Sequence, residues 1–324
     1  MHLGNARTFL IAWLRARVAG GKIILRMEDL DHPKVKPNAA AEALEDLHWL
    51  GLDWDEGPDI GGPFAPYTQT QRIEHYAAAL KTLREKNLAY PCVCSRKDVT
   101  EGQSAPHGSE DGLYYPGTCR GRFADFESAT DALNMEGACP HAPHRIPAWR
   151  FKVAQGSEVV FDDVFHGAQH QRVDEAVGDF VIARHADGAG YMLAVVVDDA
   201  AMGVTEVVRG DDLLSATPRQ LLLHRALGLR EPAFMHVPLV VAEDGRRLAK
   251  RHGDTRLRAL RDAGIPPEEI LGLLAWWSGW AKWDEALSLP ELLRRYDPAA
   301  IPRAPAVLTG QVKKRLLLQR GTGF

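Results

Sequence analysis

Residues 22–29, KIILRMED, restrict the fold more than any other stretch: a short, mostly apolar run closing on carboxylates, with amphipathic helical patterns on both sides. Such a run suits a strand buried on both faces, and a strand of that kind needs helices above and below it. The helical patterns are present. Leu10, Trp13, Leu14 and Val18 recur on one face of the first, which stops at Gly20-Gly21. AAAEALEDLHWLGLDWD stops at Gly51, and RIEHYAAALKTLREKN is a third. The alternation predicts an α/β domain over residues 1–89.

From Tyr90 to Ala148 the pattern gives way to loops rich in Gly, Pro, His and Cys, so 90–185 reads as an inserted domain. Strand-like runs follow: WRFKVA, EVVFDDVFHG, DFVIAR and YMLAVVVDDAAMGVTEVVRG. The α/β pattern resumes over 186–250 with the helix TPRQLLLHRALGL and the strand FMHVPLVVA; 251–324 reads as a helical stem around PPEEILGLLAWWSGW. A length of 324 residues calls for two or three packed units.

A formal charge of −4 names no partner, and the basic clusters at Arg246, Arg247, Lys250, Arg251 and at Lys313, Lys314, Arg315, Arg320 read first as solvated surface. No run is long enough to span a membrane, and the N-terminus lacks signal-peptide features, so a cytoplasmic protein without membrane partners is expected. Four cysteines at uneven spacing are too few for a disulfide scaffold and are expected as thiols or metal ligands.

Three short stretches carry chemistry. At the mouth of the first helix stand His2, Gly4 and Asn5. A helix N-terminus offers unpaired N–H groups, a glycine lets a phosphate approach, and His2 can bond a phosphate oxygen; Asn5 as an ordinary cap is the plainer reading. DGRRLAKRHGD places four cations in six residues after an apolar strand, which suits a loop closing on a triphosphate and equally suits an exposed basic turn. RMEDLD puts Glu28, Asp29 and Asp31 at a strand end, where a carboxylate can receive a substrate ammonium or simply be solvated.

In this order and at these separations, HLGN, RMEDLD and RLAKR resemble the HIGH region, the acidic strand end and the KMSKS loop of class I glutamyl-tRNA synthetases, a likeness extending through YTQTQR, YMLAVVVDDAAMGVTEVVRGDDLL and HVPLV. The resemblance implies a Rossmann-type parallel sheet with an inserted zinc-containing domain and a C-terminal helical stem. It implies that Glu28, Tyr191 and Arg209 hold L-glutamate, Glu28 at the ammonium. His2, Arg247, Lys250 and Arg251 would contact ATP with its Mg²⁺, and His2, Gly4, Asn5 and Lys250 would form the catalytic signature. Arg247 and Ala249 depart from the KMSKS pattern at its first position and its serine.

Cys92, Cys94, Tyr115 and Cys119 resemble the zinc site of the short relatives that transfer glutamate to queuosine at the wobble position of tRNA(Asp); Cys139, His141 or His144 are alternatives to Tyr115. Only about seventy residues follow Lys250, which favours that group over enzymes with an anticodon-reading domain. The expected partners are therefore ATP, L-glutamate and the tRNA(Asp) anticodon loop, with the chain a monomer. Two alternatives remain: a truncated discriminating glutamyl-tRNA synthetase charging tRNA(Glu), and a non-catalytic ATP- or RNA-binding paralogue. The family pattern also places a central strand before His-x-Gly-Asn, so the resemblance implies that the first strand is missing and that the natural chain begins upstream of Met1.

Overall fold

The computed structural model describes residues 1–30, 38–101, 114–135, 146–184, 186, 190–248 and 255–318. Three helices open it: α1 (Leu3–Val18), α2 (Ala39–Trp49) and α3 (Ile73–Glu85). Leu3, Leu10, Ile11 and Leu14 of α1 are fully buried, whereas Val18 is exposed beyond the apolar face. After α2 the chain turns at Gly51 with φ of +78°, a left-handed backbone that favours glycine.

The strand expected over KIILRMED is reduced to isolated parallel bridges, Ile24 with Glu56 and Met27 with Thr68. Leu25 N donates to Glu56 O at 2.8 Å and Met27 N to Tyr67 O at 2.9 Å. Its partners are two separate short stretches, divided by a turn in which Gly57 and Gly61 bond each other, so no continuous ladder forms.

The middle of the chain contains β1 (Ala89–Cys92), α4 (Arg96–Glu101), α5 (Phe126–Asn134), β2 (Ala148–Phe151), β3 (Glu158–Asp163), β4 (Gly167–Arg172), α6 (Val173–Ala176) and β5 (Phe180–Ala183). β1, β2 and β5 make an antiparallel sheet. Next come α7 (Tyr191–Ala201), β6 (Glu206–Gly210), α8 (Thr217–Leu227), β7 (Ala233–Val237) and β8 (Val240–Ala242). YMLAVVVDD, read as strand-like, is helical. Leu193 to Val197 are buried at every position, and a run that is apolar on all sides satisfies a buried helix as well as a buried strand.

β6 and β7 are parallel, joined through α8, and β3 adds to β7 in parallel while β4 folds back antiparallel. The order β4-β3-β7-β6 is thus a mixed sheet rather than the purely parallel one expected, because a hairpin supplies its outer strand. The stem follows as α9 (Leu257–Asp262), α10 (Pro267–Trp277), α11 (Leu289–Arg295), β9 (Ala306–Leu308) and α12 (Gly310–Leu318), β9 pairing with β8.

Arg7 fixes α1 to the stem. It is 1% exposed, and its guanidinium donates to Ser278 Oγ at 3.0 Å, to Trp277 O at 3.3 Å and to Pro238 O. Burial lowers its pKa to about 10, so it remains a cation at neutral pH with its donors satisfied by oxygens of α10 and the β7–β8 link.

Candidate active site and cysteine cluster

The C-terminal ends of the parallel strands form one side of the site, as the geometry of open α/β sheets favours. Arg209, near the end of β6, lies directly opposite His236 on β7. Its Nε donates to His236 Nε2 at 3.0 Å, and its Nη2 to Thr217 Oγ1 at 2.9 Å and Gln220 Oε1 at 2.8 Å. Nη1 takes part in none of these bonds. Arg209 also interacts with the Tyr191 side chain, and both feel the charge of Glu28. The structure therefore brings Glu28, Tyr191 and Arg209 near enough to feel one another's charge.

Glu28 is 37% exposed, yet enough protein surrounds it that burial raises its carboxyl above the ordinary range, against the pull of Arg26. Arg26 donates to Asp199 Oδ1 at 2.6 Å and lies 3.4 Å from Glu28 Oε1. Asp29 is otherwise engaged, accepting from Thr70 N at 2.9 Å and Thr70 Oγ1 at 2.7 Å. Asp31 lies outside the described residues.

At the start of α1, His2 rather than Asn5 is the cap: its extended backbone turns into the helix and Nδ1 accepts from Asn5 N at 3.2 Å. Gly4 permits this, because a Cβ there would stand 3.1 Å from the His2 ring. Arg247 bridges to Val241 and donates through Nη1 to Asp212 Oδ2 at 2.7 Å, so the entrance of the basic loop is tied to the turn after β6. Ala249, Lys250 and Arg251 lie outside the described residues.

The second cluster joins β1 to the loop before α5. Cys92, Cys94 and Cys119 are free thiols whose sulfurs all lie within 4.8 Å of one another. Tyr115 OH is 3.2 Å from Cys92 Sγ and 3.6 Å from Cys94 Sγ, and Cys94 Sγ is 3.6 Å from Cys119 Sγ. Zinc–sulfur bonds of about 2.3 Å in a tetrahedron separate the sulfurs by about 3.8 Å, so the donor set fits zinc in size and softness. Arg150 Nε donates to Cys92 Sγ at 3.2 Å and its guanidinium lies over the Tyr115 ring, offsetting negative charge. Hydrogen bonds from Cys92 and Cys94 push the Cys119 thiol down, hydrogen bonding with Cys119 and then Cys92 pushes Cys94 up, and Tyr115 is raised by burial first and by its bond with Cys119 second. Cys139, His141 and His144 lie outside the described residues.

His236, Asp163, Arg26 and Asp199 belong to none of the three chemistry-bearing stretches as site residues, and strand neighbours and α7 bring them to the site. The available signal was a polar residue inside or ending an apolar run, as in FMHVP and VVFDD.

Residues 1–295 match the family described as tRNA synthetases class I (E and Q), catalytic domain. A glutamyl-Q tRNA(Asp) synthetase of Symbiobacterium thermophilum is 50% identical over 307 residues, 94% of this chain and 91% of the relative. One of Nitratidesulfovibrio vulgaris is 44% identical over 99% of this chain and 95% of its own length. Among solved structures, a glutamate tRNA ligase from Elizabethkingia meningosepticum in complex with its amino acid superposes with a TM-score of 0.78 at 25% identity, covering 98% of this chain and 66% of that one.

Proposed function

The chain belongs to the class I tRNA synthetases of the E and Q type, and from that membership we propose that it activates L-glutamate with ATP and transfers it to queuosine at the wobble position of tRNA(Asp). The observation that carries this reading is 50% and 44% identity to two glutamyl-Q tRNA(Asp) synthetases, over 91% and 95% of their lengths. The grouping of Glu28, Tyr191 and Arg209 supports it in chemical terms. A dicarboxylate with an ammonium needs an anion and a guanidinium facing one another, and Nη1 of Arg209, outside the bonds to His236, Thr217 and Gln220, can donate to a carboxylate oxygen in a charge-assisted bond.

In this mechanism Glu28 receives the ammonium while Arg209 and Tyr191 hold the rest of the amino acid. A glutamate carboxylate oxygen attacks the α-phosphorus of ATP, the bond from that phosphorus to the α,β-bridging oxygen breaks, and pyrophosphate leaves with its β,γ-bridge intact. His2, Arg247, Lys250 and Arg251 would neutralise the triphosphate, and Mg²⁺ carried in with ATP would supply further charge neutralisation there. Gly4 lets the nucleotide approach the helix N-terminus beside the His2 cap, which holds the Asn5 N–H. A nucleophile of the RNA then attacks the acyl carbon and AMP leaves. Side chains position and neutralise, and the rate comes mostly from that.

Cys92, Cys94, Cys119 and Tyr115 hold one structural zinc, which supplies folding energy to a loop-rich segment with little core of its own. The protein acts as a monomer in the cytoplasm; no described helix is long and apolar enough to cross a membrane.

Glutamate-dependent exchange of labelled pyrophosphate into ATP tests the activation step. Exchange with glutamate and none with glutamine or aspartate is expected; absence of exchange in a zinc-replete, folded preparation contradicts it.

A further inference from the structure

We propose that Asp163 and His236 are positioning residues that hold the Arg209 guanidinium in the orientation that binds the glutamate carboxylate. The inference rests on the reading of Arg209 given above. Asp163 ends β3, His236 lies near the end of β7 and Arg209 near the end of β6, so adjacent parallel strands deliver the three side chains to one row.

The bonding fixes the state of each member. His236 is fully buried, with Nδ1 2.7 Å from Asp163 Oδ2 and Nε2 3.0 Å from Arg209 Nε and 3.2 Å from Thr217 Oγ1, a hydroxyl that can donate to the same lone pair. Arginine has donors and no acceptor, so the Arg209 bond requires a lone pair on His236 Nε2. The proton of a neutral imidazole then sits on Nδ1, where the Asp163 carboxylate accepts it. Asp163 is itself held from behind: Oδ1 accepts from Phe165 N at 3.0 Å and His166 N at 2.8 Å, and Oδ2 also accepts from His236 N at 3.1 Å. The other tautomer, or an imidazolium, would place N–H against N–H at Arg209.

The effect on Arg209 is directional. His236 takes Nε, while Thr217 and Gln220, 0% and 2% exposed, take Nη2. These acceptors, with Leu213 O at 3.4 Å from Nη2, hold two of the three nitrogens and stop the planar group from rotating, and the Phe234 ring centre lies 5.2 Å from its central carbon. Binding a carboxylate then needs no reordering of a long side chain, which is where pre-organisation gains affinity.

The test combines exchange kinetics with a readout that needs no activity. In the wild-type protein, ¹⁵N-histidine NMR should show His236 protonated at Nδ1 and bare at Nε2, and Asp163→Asn should shift that signal towards Nε2–H. His236→Leu should raise KM for glutamate by about tenfold or more with KM for ATP unchanged, the size expected for losing a charge-assisted bond in the interior. His236→Gln, which can present an oxygen to Arg209, should recover most of that loss. The proposal is overturned if wild-type His236 is an imidazolium or the Nε2–H tautomer. It is equally overturned if His236→Leu leaves KM for glutamate unchanged or raises both KM values alike, or if Gln rescues nothing while melting curves show both variants folded. A wild-type protein with the predicted tautomer but no glutamate-dependent exchange overturns the reading of function, and the assigned role with it, while leaving the geometry of the row intact.

Discussion

Arg72 donates through Nε to Asp198 Oδ1 at 2.7 Å with both side chains closed off from solvent, 3% and 0% exposed. Asp198 also accepts from Tyr76 OH at 2.8 Å and Gln69 Nε2 at 3.3 Å, and Arg72 Nη1 reaches Phe64 O and Pro66 O, each at 3.1 Å. The next residue of α7, Asp199, holds Arg26 beside Glu28. Adjacent residues of α7 thus hold both Arg72 and Arg26 in place.

Removing Asp198 should therefore be costly. Asp198→Ala leaves the Arg72 charge and the Tyr76 hydroxyl buried without this partner, and breaking a buried pair in this way costs about 3–5 kcal/mol. Urea denaturation monitored by circular dichroism checks it, and a loss below about 1 kcal/mol, the size of a surface pair, would contradict the account.

Arg209→Ala should raise KM for glutamate by the equivalent of about 2–5 kcal/mol, the range for truncating one partner of a buried charge pair. Arg209→Lys should recover little, because an ammonium keeps the charge but not the planar fork that His236, Thr217 and Gln220 hold. Exchange kinetics at saturating ATP report both; near-normal KM in the lysine variant would show that charge alone suffices.

Much of this arrangement was legible in the sequence. α1, α2, α3, α8 and α10 follow from apolar spacing and glycine stops, and the sulfur cluster from its spacing by way of the family resemblance. The row Asp163–His236–Arg209 was not, because it depends on which strands become neighbours: 73 residues separate Asp163 from His236. YMLAVVVDD misled for a related reason, since a helix buried on all sides has no polar face to reveal its period. KIILRMED has the composition of a strand, but composition cannot show that its partners are two separate short stretches.

Metal analysis should find about one zinc per chain, lowered by Cys92→Ser or Cys119→Ser. The thiols bind as thiolates, so acid or a chelator should release the metal and lower the melting temperature. Absence of zinc from protein purified without chelator would remove the site.

Stability should fall as pH drops below 6.5. Burial lowers the pKa of His236, outweighing Asp163, and burial likewise lowers that of His224. The unfolded chain takes up protons near the ordinary value of 6.5 while the folded chain resists them, so this contribution is complete above 6.5 and lost towards the lower folded values. Asp163 adds a further loss in stronger acid: burial opposes its ionisation, but His236 and backbone N–H groups outweigh burial and hold its carboxyl below the ordinary range. Denaturant midpoints between about pH 8 and pH 5 read the slope, which His224→Gln should reduce. A midpoint that rises with acidity would contradict it.

The central claim is tested most directly by transfer of labelled glutamate from ATP-activated enzyme to tRNA, with queuosine-containing tRNA(Asp), the same tRNA lacking queuosine, and tRNA(Glu) run side by side. Label is expected on queuosine-containing tRNA(Asp), retained in the anticodon fragment after nuclease digestion, and none on the other two. Label at the 3′ end of tRNA(Glu), or equal labelling of tRNA(Asp) with and without queuosine, would contradict it.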